Sequence, residues 1–137
     1  MDRLTKQRRS EIMSRIGGKN TAPELAVRSL VHSLGYRYRL HSKKLPGKPD
    51  LVFAGRRKVI FVHGCFWHGH EGCKKGQLPK SRLDYWKPKI EANKQRDYGN
   101  ETRLKDSGWN VLVVWQCDLK DSASLEARIV EFLESSE

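Results

Sequence analysis

Residues 59–73, Val-Ile-Phe-Val-His-Gly-Cys-Phe-Trp-His-Gly-His-Glu-Gly-Cys, set three histidines and two cysteines behind an apolar run that reads as a buried strand. The loop leaving that strand is rich in nitrogen and sulfur ligands and holds almost no acid. Cys65, His70 and Cys73 lie within nine residues, so one loop can bend around a single metal ion, and Cys117 ends a second predicted core strand that can run beside the first. Thiolates with an imidazole in a closed tetrahedral set suit structural zinc, whereas magnesium and calcium require oxygen. The spacing is not that of a standard zinc finger, and His68 competes with His70 for the nitrogen position.

Elsewhere helix and strand signals alternate, which predicts an α/β chain. Residues 3–16 read as a charged helical arm ending at Gly17-Gly18. Thr21 caps a helix whose apolar face is Val27, Leu30, Val31 and Leu34, at i, i+3, i+4, i+7 spacing, and Gly35 stops it. Tyr36–Leu40 is strand-like and Leu45-Pro46-Gly47-Lys48-Pro49 is a turn. Asp50–Phe53 is a short strand that Ala54-Gly55-Arg56-Arg57 returns into Lys58–His63, making a hairpin. Then come a long polar helix over residues 85–105, closed near Gly108, an apolar strand from Trp109 to Trp115, and a final amphipathic helix marked by Leu125, Ile129, Phe132 and Leu133. No repeat or linker interrupts the pattern. The 137 residues suit one domain that buries roughly two thirds of its unfolded surface.

Lysine and arginine number 27 against 16 acids, a formal net charge of +11 spread along the chain. That balance favours a polyanion, nucleic acid first. The start, Met-Asp-Arg-Leu-Thr-Lys-Gln-Arg-Arg, has no apolar core after its charges, and no apolar run reaches the ~18 residues a membrane span needs, so the expectation is a cytosolic protein without membrane contact. Three cysteines cannot complete a disulfide framework, which leaves metal binding or burial to explain them.

The hairpin suggests a second metal site. In many metal-dependent nucleases an aspartate opening one strand is followed on the next by an acid, one residue and a lysine. Pro49-Asp50 supplies the first part, but Val59-Ile60-Phe61-Val62-His63 holds neither acid nor internal lysine, leaving His63 and His68 to replace them. Asp50 also reads as a turn or strand-start residue. Thr21-Ala22-Pro23-Glu24 reads as a capping box, with Glu24 reaching back to the backbone of Thr21. Phe66 and Trp67 occupy a glycine-flanked polar loop and Trp86 a lysine-rich helix start, where aromatics either stack on bases or plug local gaps.

Taken together, Met13–Glu24, Leu45-Pro-Gly-Lys-Pro-Asp50, Val59–Cys73, Tyr85-Trp-Lys-Pro-Lys-Ile90 and Gly108–Cys117 resemble the Vsr, very short patch repair, DNA mismatch endonucleases, from about Lys6 to Leu119. The resemblance implies a restriction-endonuclease-like three-layer fold, a central mixed β-sheet flanked by helices, with a structural zinc site. It implies a monomeric enzyme, associated with the nucleoid, that nicks one strand 5′ of the thymine in a T:G mismatch left by deaminated 5-methylcytosine. By matching positions, Asp50 and the backbone carbonyl of Val62 would bind magnesium, so a carbonyl replaces the missing acid. His68 would be the general base, His63 would assist at the scissile phosphate, and Glu24 would hold magnesium-bound water. Zinc would fall to Cys65, His70, Cys73 and Cys117. Phe66, Trp67 and Trp86 would enter the duplex beside the mismatch, Lys89 and Asn93 would meet the mismatched pair, and residues 1–18 would clamp the backbone. The family's link to mismatch repair makes MutL a candidate partner.

The chain departs from that pattern in places. Val62 stands where relatives can carry threonine, Gly69 and Glu71-Gly72 alter the loop, and Gly18 stands where a basic residue can occur. Two other readings keep part of the pattern: a restriction endonuclease of the same fold, and a zinc-stabilised DNA-binding module without catalysis, which would tolerate loss of Asp50 and His68.

Overall fold

The computed structural model describes residues 21–135, and the basic arm read over residues 1–18 lies outside them. Helix α1 spans Ala22–Ser33; the Thr21 hydroxyl accepts the Glu24 N–H at 3.4 Å and Pro23 occupies the first turn, where its missing N–H costs nothing. Val27 and Val31, four residues apart on one face, are fully buried.

Four strands follow in spatial order: β1 (Arg39–Leu40), β2 (Leu51–Phe53), β3 (Lys58–His63) and β4 (Asn110–Trp115). β1 pairs with β2 and β2 with β3 antiparallel, while β4 runs parallel to β3, so the sheet is mixed. The hairpin falls where the sequence puts it, with a short 3₁₀ turn over Ala54–Arg56 and Arg57 in the left-handed region. β1 is shorter than the strand-like run Tyr36–Leu40, because β2 offers it only Leu51 and Val52 as partners; Tyr36 and Tyr38 pack on the core instead.

Alternation sends successive side chains to opposite faces. Leu51, Phe53, Ile60 and Val114 meet Val27 and Val31 of α1 and Leu125, Ile129 and Leu133 of α3 (Ser122–Glu134). Val52, Val59 and Phe61 meet Leu104 of α2 (Leu83–Asp106) on the other face. The result is three layers, with the apolar run of β3 at the centre because both of its faces are covered. Helix α2 starts two residues before Tyr85 and runs through Pro88, which forfeits one bond to the preceding turn.

Lys58 opens β3 and is only 3% exposed. Its Nζ donates to the carbonyls of Phe132 at 2.6 Å and Leu133 at 3.2 Å, at the negative end of α3, so the dipole and carbonyls of that helix compensate the buried charge. This ties the last helix to the start of the central strand. The other ends of β3 and β4 finish in register, His63 beside Trp115, and the ligand-rich segments leave the sheet there.

Candidate active site and metal centres

Asp50 sits just before β2, and its Oδ2 accepts the backbone N–H of Val62 at 2.6 Å. β2 stops pairing with β3 at Ile60, so a carboxylate takes over where the neighbouring strand ends. Glu24, 2% exposed, turns in from the first turn of α1, where its Oε2 accepts from Arg28 and from His41 Nε2, the latter at 2.6 Å. His41 Nε2 also lies 3.9 Å from Asp50 Oδ1, so Glu24, His41 and Asp50 form one group of potential ligands. Burial raises the Asp50 carboxyl to about 7; the Val62 N–H opposes that rise, and the nearby Glu24 charge adds to it. Two carboxylates facing one another in this way favour a cation between them.

A second group lies beside the first. The His63 and His68 rings stack with centroids 3.9 Å apart and planes at 4°, and His68 Nδ1 lies 2.6 Å from Asp97 Oδ2 on α2. A carboxylate is an acceptor, so Nδ1 carries the proton and Nε2 is left to accept one. Burial, with the charge of His68, lowers His63 to about 4 against the opposing pull of Asp97, so His63 is neutral at pH 7. It can act at a phosphate through a hydrogen bond but not as a cation. A cavity of about 320 Å³ opens against these rings, lined by Lys94, Asp97, Glu101 and Trp115 among others.

The third group is the sulfur set. Cys65, His70, Cys73 and Cys117 bring their ligand atoms within 4.8 Å of one another. His70 Nδ1 is 3.4 Å from Cys117 Sγ, close to the ~3.6 Å that two tetrahedral ligand bonds of ordinary zinc length would give. His68 does not join this set; its Nδ1 is engaged by Asp97 instead. The Trp115 indole stacks on His70 at 4.0 Å and meets His63 edge-on at 5.2 Å, so one ring touches both groups. Burial pushes the Cys117 thiol up to about 12, with Cys65 and Cys73 adding to it. Cys73 is drawn down to about 7, the upward push of burial being outweighed by hydrogen bonds from the Lys75 backbone and the other three residues. Thiols opposed in this way are relieved by a divalent cation. Gly69, at φ +60, lets the loop through: a Cβ there would lie 2.8 Å from both Ile90 and Lys94 of α2.

Phe66, Trp67 and Trp86 form a separate surface cluster, mutually edge-on with centroids 5.1–5.8 Å apart. None belongs to either core, and Trp67 is 39% exposed. Lys89 Nζ lies 6.0 Å from the Trp67 ring. Asn93 Nδ2 donates to the Trp67 carbonyl at 2.8 Å, so this amide braces the loop that carries the indole. Tyr85, 45% exposed, extends the cluster edge-on to Trp86.

Sequence reasoning missed His41 and Asp97. Asp97 follows Asn93 by one helical turn, on the face that also presents Lys89 and Trp86, and that spacing was a signal for it. His41 follows Leu40, which pairs with Leu51, so antiparallel register alone sets it opposite Asp50.

A family profile described as DNA mismatch endonuclease Vsr matches residues 1–75. The chain is 62% identical over 98% of its length to "Type II nicking enzyme V.XorIIP" of Xanthomonas oryzae pv. oryzae, covering 98% of that protein. It is 41% identical over 88% of its length to "DNA mismatch endonuclease Vsr" of Escherichia coli, covering 76% of that protein. Among solved structures, the catalytic domain of the homing endonuclease I-Bth0305I superposes with a TM-score of 0.57 over 85% of this chain and all of that one, at 18% identity, which shows a shared fold.

Proposed function

We propose, from the premise that this chain belongs to the Vsr family of DNA mismatch endonucleases, that it nicks one strand of a duplex 5′ of the thymine in a T:G mismatch and depends on magnesium to do so. It is a DNA endonuclease and acts on DNA; the strand, the mismatch and the metal are the proposal. The observation that carries it is the meeting, at the end of β3, of an all-oxygen pair, Asp50 and Glu24, with a histidine whose Nδ1 is pinned by Asp97.

The donor set fits magnesium. Asp50 Oδ2 is occupied by the Val62 N–H, which leaves Oδ1, on the side of His41 and Glu24, to take a cation. In an extended strand the N–H and C=O of one residue point to the same side, so the Val62 carbonyl faces the side on which Asp50 lies. These oxygens, with Glu24 behind them, make a hard site of the kind magnesium takes. Magnesium held there would neutralise charge building on the phosphate and the leaving oxygen. His68 Nε2 takes the proton of the attacking water, and Asp97 stabilises the imidazolium that results. Neutral His63, stacked on His68, hydrogen-bonds to a phosphate oxygen. The sulfur set fits zinc, which would fix the loop carrying His68.

Discrimination belongs to Phe66, Trp67 and Trp86. Parting a stack costs a few kcal/mol at a well-paired step and less at a wobble pair, and each stacked ring returns roughly 1–3 kcal/mol. Lys89 and Asn93 lie one turn apart beside the wedge, where the mismatched pair would be. The chain's cations bind any duplex and supply affinity without preference. Labelled duplexes differing only in T:G against T:A, incubated with magnesium or with chelator, test the proposal: nicking of T:G with magnesium alone is expected. Equal cutting of the paired duplex would overturn mismatch recognition, and binding without cutting would leave a DNA-binding module.

A further inference from the structure

We propose that His41 is a positioning residue of the metal site, whose Nε2–H holds the Glu24 carboxylate in place beside Asp50 so that both carboxylates turn their oxygens toward one cation. The inference rests on the reading of Asp50 and Glu24 as the magnesium site.

Four observations carry it. Glu24 Oε2 already accepts from the Arg28 guanidinium, so it is an acceptor, and the 2.6 Å contact with His41 must be a donation from the imidazole. His41 Nε2 lies 3.9 Å from Asp50 Oδ1, between two groups that repel when both are charged. The backbone of His41 stands at φ +46, in the left-handed region that non-glycine residues rarely occupy, and this turns the chain out of β1 directly after Leu40. Its N–H is held by the Asp50 carbonyl at 3.4 Å, so the two residues share a backbone tether as well as a side-chain contact.

A residue that orients a metal-binding carboxylate is worth about 10–100-fold in metal affinity or activity. Glutamine can present its side-chain N–H where the imidazole presents Nε2–H, and alanine cannot. The test compares parental protein, His41→Ala and His41→Gln. Magnesium binding to protein alone is measured by calorimetry, single-turnover nicking of a T:G duplex is followed against magnesium concentration, and duplex affinity is measured in chelator. His41→Ala should bind magnesium at least tenfold more weakly and need correspondingly more of it to nick, with zinc content, melting temperature and metal-free duplex affinity unchanged. His41→Gln should return within about threefold of the parent. An alanine variant that binds magnesium and nicks as the parent does would overturn the proposal, as would a glutamine variant as impaired as alanine. Loss of stability or zinc in the alanine variant would itself assign His41 a structural role and overturn it. A parental protein that neither binds magnesium nor needs it would overturn the underlying site reading instead.

Discussion

Replacing Asp97 by asparagine preserves the size of the side chain and removes its charge, at the residue that holds the inner nitrogen of His68 at 2.6 Å. A hydrogen bond to a charged partner contributes about 1.5–3 kcal/mol, or roughly 10–150-fold in rate if it is needed in the transition state. That is the loss if the asparagine carbonyl faces Nδ1 and the tautomer survives. If the amide faces Nδ1, the proton is forced onto Nε2, and the loss approaches the ~10²–10⁴-fold of removing a general base. Asp97 side-chain exposure is 20%, on the polar face of α2 and outside both cores, so stability should change little. The assay is single-turnover nicking of a T:G duplex at saturating magnesium, with duplex affinity, zinc content and melting temperature as controls. Because Asp97 acts through His68, its loss should cost less than about threefold in a His68→Ala background. Parental nicking by Asp97→Asn, or losses that multiply in the double variant, would refute the dyad.

Three further outcomes follow from the other groups. Cys117→Ser should release the zinc and melt at ordinary temperature, since a structural zinc site contributes on the order of 10 kcal/mol, comparable to the whole stability of a small domain; a zinc-free parent by elemental analysis, or a stable variant, contradicts the assignment. Trp67→Ala and Trp86→Ala should cut T:G much more slowly than the parent while binding paired duplex and melting as before; loss of stability in both would make these rings packing. Burial and the Glu24 charge raise Asp50 to about 7 in the metal-free protein, so below that pH a proton must leave before a cation enters. Magnesium affinity by calorimetry should therefore fall about tenfold per pH unit below 7 and level off above it, with about one proton released per cation at pH 6; affinity independent of pH would contradict a protonated Asp50.

The grouping of Cys65, His70, Cys73 and Cys117 was legible because three of its members crowd one loop and the fourth ends the neighbouring strand, although Cys117 lies in a 3₁₀ turn over Gln116–Lys120 just beyond β4. The hairpin and the two-faced burial of β3 were legible from an apolar run between turn residues. Asp50 and Glu24 each carried an ordinary local explanation, strand start and helix cap, and Glu24 does sit in the capped first turn of α1; only the fold brings the two carboxylates together. His68 and His70 could not be told apart by spacing, because what distinguishes them is a carboxylate 29 residues from the one and a thiol 47 residues from the other. His41 was illegible for the same kind of reason: its partners lie across a strand pairing and on helix α1, and no period in the sequence links them.

On the proposed function, mismatch and metal together license one cut at one place. Both strands of a duplex carrying a single T:G pair, separately end-labelled, should be incubated with the protein in magnesium and resolved beside sequencing ladders. One nick is expected, in the thymine strand only, at the phosphate 5′ of the mismatched thymine, absent in chelator and absent when adenine replaces the guanine. Cuts in both strands, or the same nick in the paired duplex, would contradict it.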